Sequence, residues 1–251
     1  NTLAVRLENL PESSRWYPGA GLYRNVHLII TEDAYIPVWG TYITTPSVNE
    51  KFAKVNVRTK VVLPEGADPA KYSVETSVWN PNKQKLTAVR TSLAQMKYNN
   101  NQAEQEFVIQ APSLWSPEMP ALYSAETRLY EGDKLKDIYT TPFGIRSIEI
   151  IPDKGFFLNG KRTVFKGVCN HHDLGPLGAA VNDAAIRRQI RILKDMGCNA
   201  IRTSHNMPAP ELIRACDEMG MMIMAESFDE WNVAKCKNGY NLLFDEWAEK
   251  D

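Results

Sequence analysis

The chain has 251 residues with 43% hydrophobic and 10% aromatic content, enough to bury a core in one large domain or two smaller ones. Its formal net charge is −1 and its Lys and Arg form no block, so it carries no electrostatic footprint for nucleic acid or an acidic membrane surface. No apolar run approaches the roughly 20 residues that cross a bilayer, and a neutral or small polar partner fits the charge better.

Strand-like alternation opens the chain in "LAVRLENL" (3–10) and "RNVHLIIT" (24–31), without enough partners for a sheet of the usual ~4–6 strands. The first residues lack the basic-then-apolar order of a signal peptide and read as if starting inside a strand. Further on, "VNVRTKVVL" (55–63), "YSVETSVW" (72–79), "LTAVRTSL" (86–93), "AEQEFVIQA" (103–111) and "LYSAETRLY" (122–130) alternate apolar and polar residues between turn-forming clusters. Short strands at this spacing predict an immunoglobulin-like β-sandwich over about 33–144, without the Cys-Trp-Cys hallmark.

Near residue 150 the period changes. "TVFKGV" (163–168) is a candidate buried strand, and Asn182 an N-cap for a helix with Ile186, Ile190 and Leu193 on one face and Gly197 as its stop. "NAIRTS" (199–204) is a second strand, "PAPELIRACDEMG" (208–220) a helix with Leu212, Cys216 and Met219 on one face, and "MMIMAES" (221–227) a third strand. This alternation predicts a parallel α/β sheet, either a barrel or doubly wound. A closed (β/α)₈ barrel needs ~250 residues, so the two and a half units predict a slice of a larger protein. The four cysteines, Cys169, Cys198, Cys216 and Cys236, have no CxxC spacing and are expected to be mostly buried free thiols.

In α/β folds functional groups gather at the C-terminal strand ends. The three ends here carry His171, His172 and Asp173; Arg202, Ser204, His205 and Asn206; and Glu226, Asp229 and Glu230, which include three of the chain's four histidines. Adjacent His171 and His172 cannot both chelate one ion on an extended strand, because neighbours project to opposite faces. On the same rule His171 and Asp173 share a face while His172 points away. The remaining metal reading is a hard cation held by Glu230 and water. No Gly-x-Ser-x-Gly elbow is present, and Ser204 beside His205 makes no triad. Carbohydrate chemistry fits better: His, Asn, Asp and Arg make directional hydrogen bonds to sugar hydroxyls, and Trp231 is either a stacking platform or a core residue. Glycoside hydrolysis needs two carboxylates, ~5–5.5 Å apart when configuration is retained, and such a pair may lie among the strand-end acids or outside the chain.

"SRWYPGAGLYRNVHL" (14–28), "LWSPEMPALY" (114–123), "FGIRSIEI" (143–150), "GFFLNGKRTVFKGVCNHHD" (155–173) and "CNAIRTSHNMPAPELIRACDEMGMMIMAE" (198–226) together resemble the β-galactosidases of glycoside hydrolase family 2, in the family's order along essentially the whole chain. The resemblance implies a multidomain β plus α/β chain: 1–32 as the C-terminal strands of a jelly-roll sugar-binding domain, 33–144 as the sandwich, and 145–251 as the start of a (β/α)₈ catalytic barrel. It implies a retaining exo-β-glycosidase acting on a β-galactoside oligosaccharide or glycan. β-Glucuronidase, β-mannosidase and a non-catalytic carbohydrate-binding module are the alternatives. Its acid/base and nucleophile glutamates are expected beyond Asp251, leaving this chain inactive alone. Substrate contacts are implied at His171, Asp173, His205, Asn206, Arg15 and Trp231; Arg15 stands where some relatives carry aspartate. Glu230 falls near a metal-ligand position, with Mg²⁺ or Na⁺ as the cofactor of the full-length enzyme, although Asn232 replaces a neighbouring ligand histidine. Neither nucleic acid nor a membrane is an expected partner, and a homo-oligomer is expected.

Overall fold

The computed structural model describes residues 2–15, 19–95 and 102–251, so Trp16, Tyr17 and Pro18 of the 14–28 motif lie outside the described residues. The chain divides into two units. One comprises residues 28–165 with 217–220, the other residues up to 27 with 166–216 and 221–251.

The first unit is built from strands β1 (Thr41–Val48), β2 (Phe52–Lys60), β3 (Tyr72–Trp79), β4 (Lys85–Ser92), β5 (Gln102–Gln110), β6 (Leu122–Glu131) and β7 (Lys134–Gly144). They form two antiparallel sheets, in the orders β1-β2-β5 and β4-β3-β6-β7. The predicted alternation is realised side chain by side chain: Ala53, Val55 and Val57 of β2 and Phe107 and Ile109 of β5 meet Val78, Tyr123, Ala125 and Phe143 from the other sheet. A second cluster gathers Val61, Val74, Ala103 and Leu129. Between the two runs a polar rung, in which Thr76 Oγ1 lies 3.3 Å from Thr127 Oγ1 and Gln105 Nε2 donates to Val89 O at 2.9 Å. Pairing inside the core satisfies these groups apart from Gln105 Oε1, which has no partner among the described residues.

The unit continues in a small meander, β8 (Ile148–Ile151), β9 (Gly155–Leu158) and β10 (Lys161–Arg162). Leu158 pairs with Lys161 across Asn159-Gly160, whose φ values of 52° and 73° give the left-handed turn that matches strand twist. Where the chain enters the sandwich, the Lys136 side chain is 7% exposed, its Nζ contacting Glu32 at 2.5 Å and Asp33 at 3.4 Å.

The second unit is βαβαβ: β11 (Gly167–Asn170), α1 (Asp183–Asp195), β12 (Ala200–Thr203), α2 (Pro210–Met219) and β13 (Met222–Met224), followed by a one-turn helix α3 (Phe244–Trp247). The three strands pair in parallel in the order β11-β12-β13. Asn182 Oδ1 accepts the Ala185 N–H at 3.0 Å, and Ile186, Ile190 and Leu193 are buried, as their spacing predicts. Gly197, at φ 86°, donates to Lys194 O at 2.8 Å and Cys198 N to Leu193 O at 2.9 Å, closing the helix as a Schellman motif.

Several expectations shift. β11 starts at Gly167 rather than Thr163, because Lys166 is tied to Asn199 and only a residue without Cβ fits there: a Cβ on Gly167 would lie 1.9 Å from Ala200 O. The strand runs to Asn170, two residues beyond the expected end, and His171, His172 and Asp173 follow it in a turn, so the pleat does not set their directions. On α2 the buried residues are Glu211, Ala215 and Cys216, so of the predicted face only Cys216 is buried. The Asn25 amide hydrogen-bonds Glu211 at 2.6 Å, which keeps a buried carboxylate partnered on a face that apolar spacing would not select. All four cysteines are free, but only Cys216 is buried. Among the described residues neither 3–10 nor 24–31 forms a strand; alternation demands a pairing partner, and none engages them.

Two outcomes follow for the sandwich. Phe107→Ala leaves a cavity in a closed apolar cluster and lowers unfolding stability by about 3–5 kcal/mol, read from the shift in urea midpoint of its transition. The second concerns Lys136, whose hydrogen bonds hold the Glu32 and Asp33 carboxyls below the usual range. Carboxyls with depressed folded values stabilise above their unfolded pKa and lose that contribution as pH falls through the folded ones. Lys136→Met thus lowers the thermal midpoint at pH 7, and the gap from the unchanged chain closes as both are acidified through the lowered folded values of these carboxyls.

Candidate active site

The C-terminal ends of β11, β12 and β13 deliver the polar side chains of the second unit. After β13, the Glu226 backbone N–H donates to Thr203 Oγ1 at 2.9 Å, a buried hydroxyl on β12 that locks one strand end against the next. The Glu226 carboxylate then reaches back along β12. Oε1 accepts from Arg202 Nε, and Oε2 lies 2.7 Å from His205 Nδ1. Arg202 also approaches Cys169 Sγ of β11 at 3.5 Å and His205 Nδ1 at 3.4 Å, so its guanidinium spans all three strand ends. Burial pushes the Glu226 carboxyl up, but hydrogen bonds from His205 and Arg202 outweigh it and hold the group below the usual range.

Five residues beyond the end of β13 the pattern repeats with other partners. Asp229 Oδ1 accepts from Arg15 Nη2 at 2.8 Å and lies 3.5 Å from Lys235 Nζ. Burial raises the Asp229 carboxyl, and Arg15 with Lys235 brings it below its ordinary value. Arg15 is placed there by the chain beside it, for Asn238 donates to Pro11 O at 2.8 Å and to Glu12 O at 3.1 Å. Arg15, Arg202, His205, Glu226, Asp229 and Trp231 line an open cleft of about 490 Å³.

Trp231 is 60% exposed, with one face stacked on Phe244 at 5.7 Å. Phe244 in turn meets Phe228 and Tyr240 edge-on at 5.5 and 6.2 Å. The indole is therefore the outer ring of an aromatic group, neither a core residue nor an unsupported one.

His171, Asp173 and Asn206 line a smaller cavity of about 40 Å³ beside this cleft. The predicted contacts are thus divided, with His205, Arg15 and Trp231 on one side and these three on the other. The His171 and His205 rings join the halves, meeting edge-to-face at 5.4 Å. Asp173 Oδ1 accepts the Gly175 N–H at 2.6 Å, closing the turn after β11. His172 packs edge-on against Tyr23 at 5.1 Å with Nε2 3.2 Å from Ala179 O, and burial lowers its pKa.

Glu230 has a different surrounding. It is 5% exposed, and its carboxylate accepts the backbone N–H groups of Lys235, of Cys236 at 3.0 Å and of Asn241 at 3.4 Å. A Cβ on Gly239 would fall 1.7 Å from Oε2. Burial raises the carboxyl, and these amides more than reverse the shift. Both sites on Oε1 are spent on N–H donors, so capacity for a cation remains only on Oε2. Among the described residues no group of three or more His, Cys, Asp and Glu side chains is placed to hold a metal ion.

Arg202, Glu226 and Asp229 stand among the strand-end polar groups in the sequence, but their pairing is a tertiary fact. Lys235 gave no signal, since it lies in a loop and acts through Asp229.

Residues 35–146 match the model for glycosyl hydrolases family 2, and residues 149–249 match that family's TIM barrel domain. The chain is 44% identical to the β-galactosidase BoGH2A of Bacteroides ovatus over all of its own length and 30% of that protein's. It is 33% identical to a β-glucuronidase of Bacteroides fragilis over 82% of this chain and 30% of the relative. The crystal structure of a β-glycosidase from Bacteroides vulgatus superposes with a TM-score of 0.86 at 35% identity, covering 95% of this chain and 30% of that one. The chain thus spans under a third of the length of each. With adjoining models of one family accounting for both the sandwich and the βα units, the chain belongs to glycosyl hydrolases family 2.

Proposed function

We propose that this chain forms part of a retaining exo-β-glycosidase, a β-galactosidase, and supplies one wall of its sugar site. The observation that carries the reading is the convergence of His205, Arg15 and Trp231 on one cleft, with His171, Asp173 and Asn206 in the cavity alongside. Imidazole, carboxylate and amide groups recognise sugar hydroxyls by direction, and a supported indole face suits the apolar face of a pyranose. The 44% identity to a β-galactosidase supports the choice of sugar.

The carboxylates on this wall are anchors in this scheme rather than catalysts. A general acid must hold a proton near neutral pH. Glu226, Asp229 and Glu230 are all held below the ordinary carboxyl range by hydrogen-bonded or charged partners. That argues against the acid role alone, since a nucleophile must be ionised; it is the family resemblance that assigns both the acid/base and the nucleophile of the double displacement to glutamates beyond Asp251.

A second reading has its own support. Asp229 is shared by two cations, Arg15 and Lys235, so the rim can also receive a carboxylate on the substrate. That would suit a glucuronide, and β-glucuronidases are among the relatives.

The full-length enzyme should show kcat/KM for an aryl β-galactoside about a hundredfold or more above that for an aryl β-glucuronide. The reverse order would transfer the assignment to the glucuronidase. The purified 251-residue chain should leave both substrates intact. Turnover by that chain, abolished in Glu226→Gln, would put the catalyst on Glu226.

A further inference from the structure

We propose that Glu226 is the positioning residue of His205: it fixes the ring by Nδ1 and so selects Nε2 as the nitrogen presented to substrate. The contact itself supplies the argument. Oε2 and Nδ1 are 2.7 Å apart, a distance that requires a proton between them. Glu226 is ionised and can only accept, so the proton resides on Nδ1. Arg202 offers only N–H donors, and its 3.4 Å approach to Nδ1 is too long to compete; it serves Glu226 instead, through Oε1.

The neutral ring is then the Nδ1–H tautomer, with Nε2 free to accept from a hydroxyl. Without the carboxylate, nothing on this edge of the ring prefers that tautomer. A carboxylate behind a functional histidine sets both its orientation and its protonated nitrogen. The role at a sugar rests on the galactosidase reading above, whereas the tautomer does not.

The test is ring ¹⁵N spectroscopy on the 251-residue chain, which has only four histidines, with His205→Gln identifying the resonance. At a pH where the ring is neutral, His205 should carry its proton on Nδ1. Glu226→Ala should move it to Nε2, while Glu226→Gln, whose amide oxygen still accepts, should leave it on Nδ1. An Nε2–H tautomer in the unsubstituted chain overturns the proposal even if Glu226→Ala does not fold, and so does a tautomer unmoved by Glu226→Ala. In the full-length enzyme Glu226→Ala should lower kcat/KM by about 10–100-fold, as loss of an orienting partner does. In a His205→Ala background the same change should cost less than about threefold. An undiminished loss there would make Glu226 merely structural. The spectroscopic arm uses no substrate, so failure of the galactosidase reading leaves it intact.

Discussion

In the ladder of β11, β12 and β13, Gly167, Ala200 and Met222 lie in one row and every strand runs the same way, so the C-terminal ends emerge along a single edge. Parallel order is what brings Asn170, Thr203 and Glu226 within reach of one another although helices separate them in sequence. The ladder rests on a close approach, because Gly167 sits where any side chain would meet the Ala200 carbonyl. Each polar group at the rim inherits its position from that register.

On this edge the three acids after β13 divide the work by their partners. Glu226 faces Arg202 and His205, Asp229 faces Arg15 and Lys235, and Glu230 turns into its own loop to collect backbone amides. The first organises the strand ends, the second fastens the 11–15 segment beside the cleft, and the third shapes the loop that presents Trp231. Residues four apart in sequence thus sit in separate electrostatic environments. Partly buried carboxylates tolerate this only because each is matched by donors or cations.

The sandwich obeys a simpler rule. Its residues alternate and one sheet face buries; of the polar side chains inside, Thr76 pairs with Thr127 and Gln105 Nε2 reaches backbone carbonyls, while Thr59 Oγ1 and Gln105 Oε1 have no partner among the described residues. That alternation is why five of its seven strands, β2 to β6, were readable from period alone; β1 and β7 were not read.

Legibility followed the range of the interaction. Asn182, Ile186, Ile190, Leu193 and Gly197 report a helix through contacts within a few residues, and all five perform as their spacing predicts. The sandwich strands and the change to βαβ order were equally local signals. The parallel strand ends were legible as a set, but not the pairings within it. Alternation does not extend past the end of β11, so the pleat does not set the directions of His171 to Asp173, and the buried side of α2 includes Glu211, which Asn25 partners and apolar spacing would not select. Arg15 meets Asp229 across 214 positions, a contact no periodicity encodes. The sequence by itself determined β2 to β6, the βα units, their order and the family, since these depend on residues near one another or on whole motifs. Only the tertiary structure decided which charged groups face each other, because that depends on where a distant segment returns.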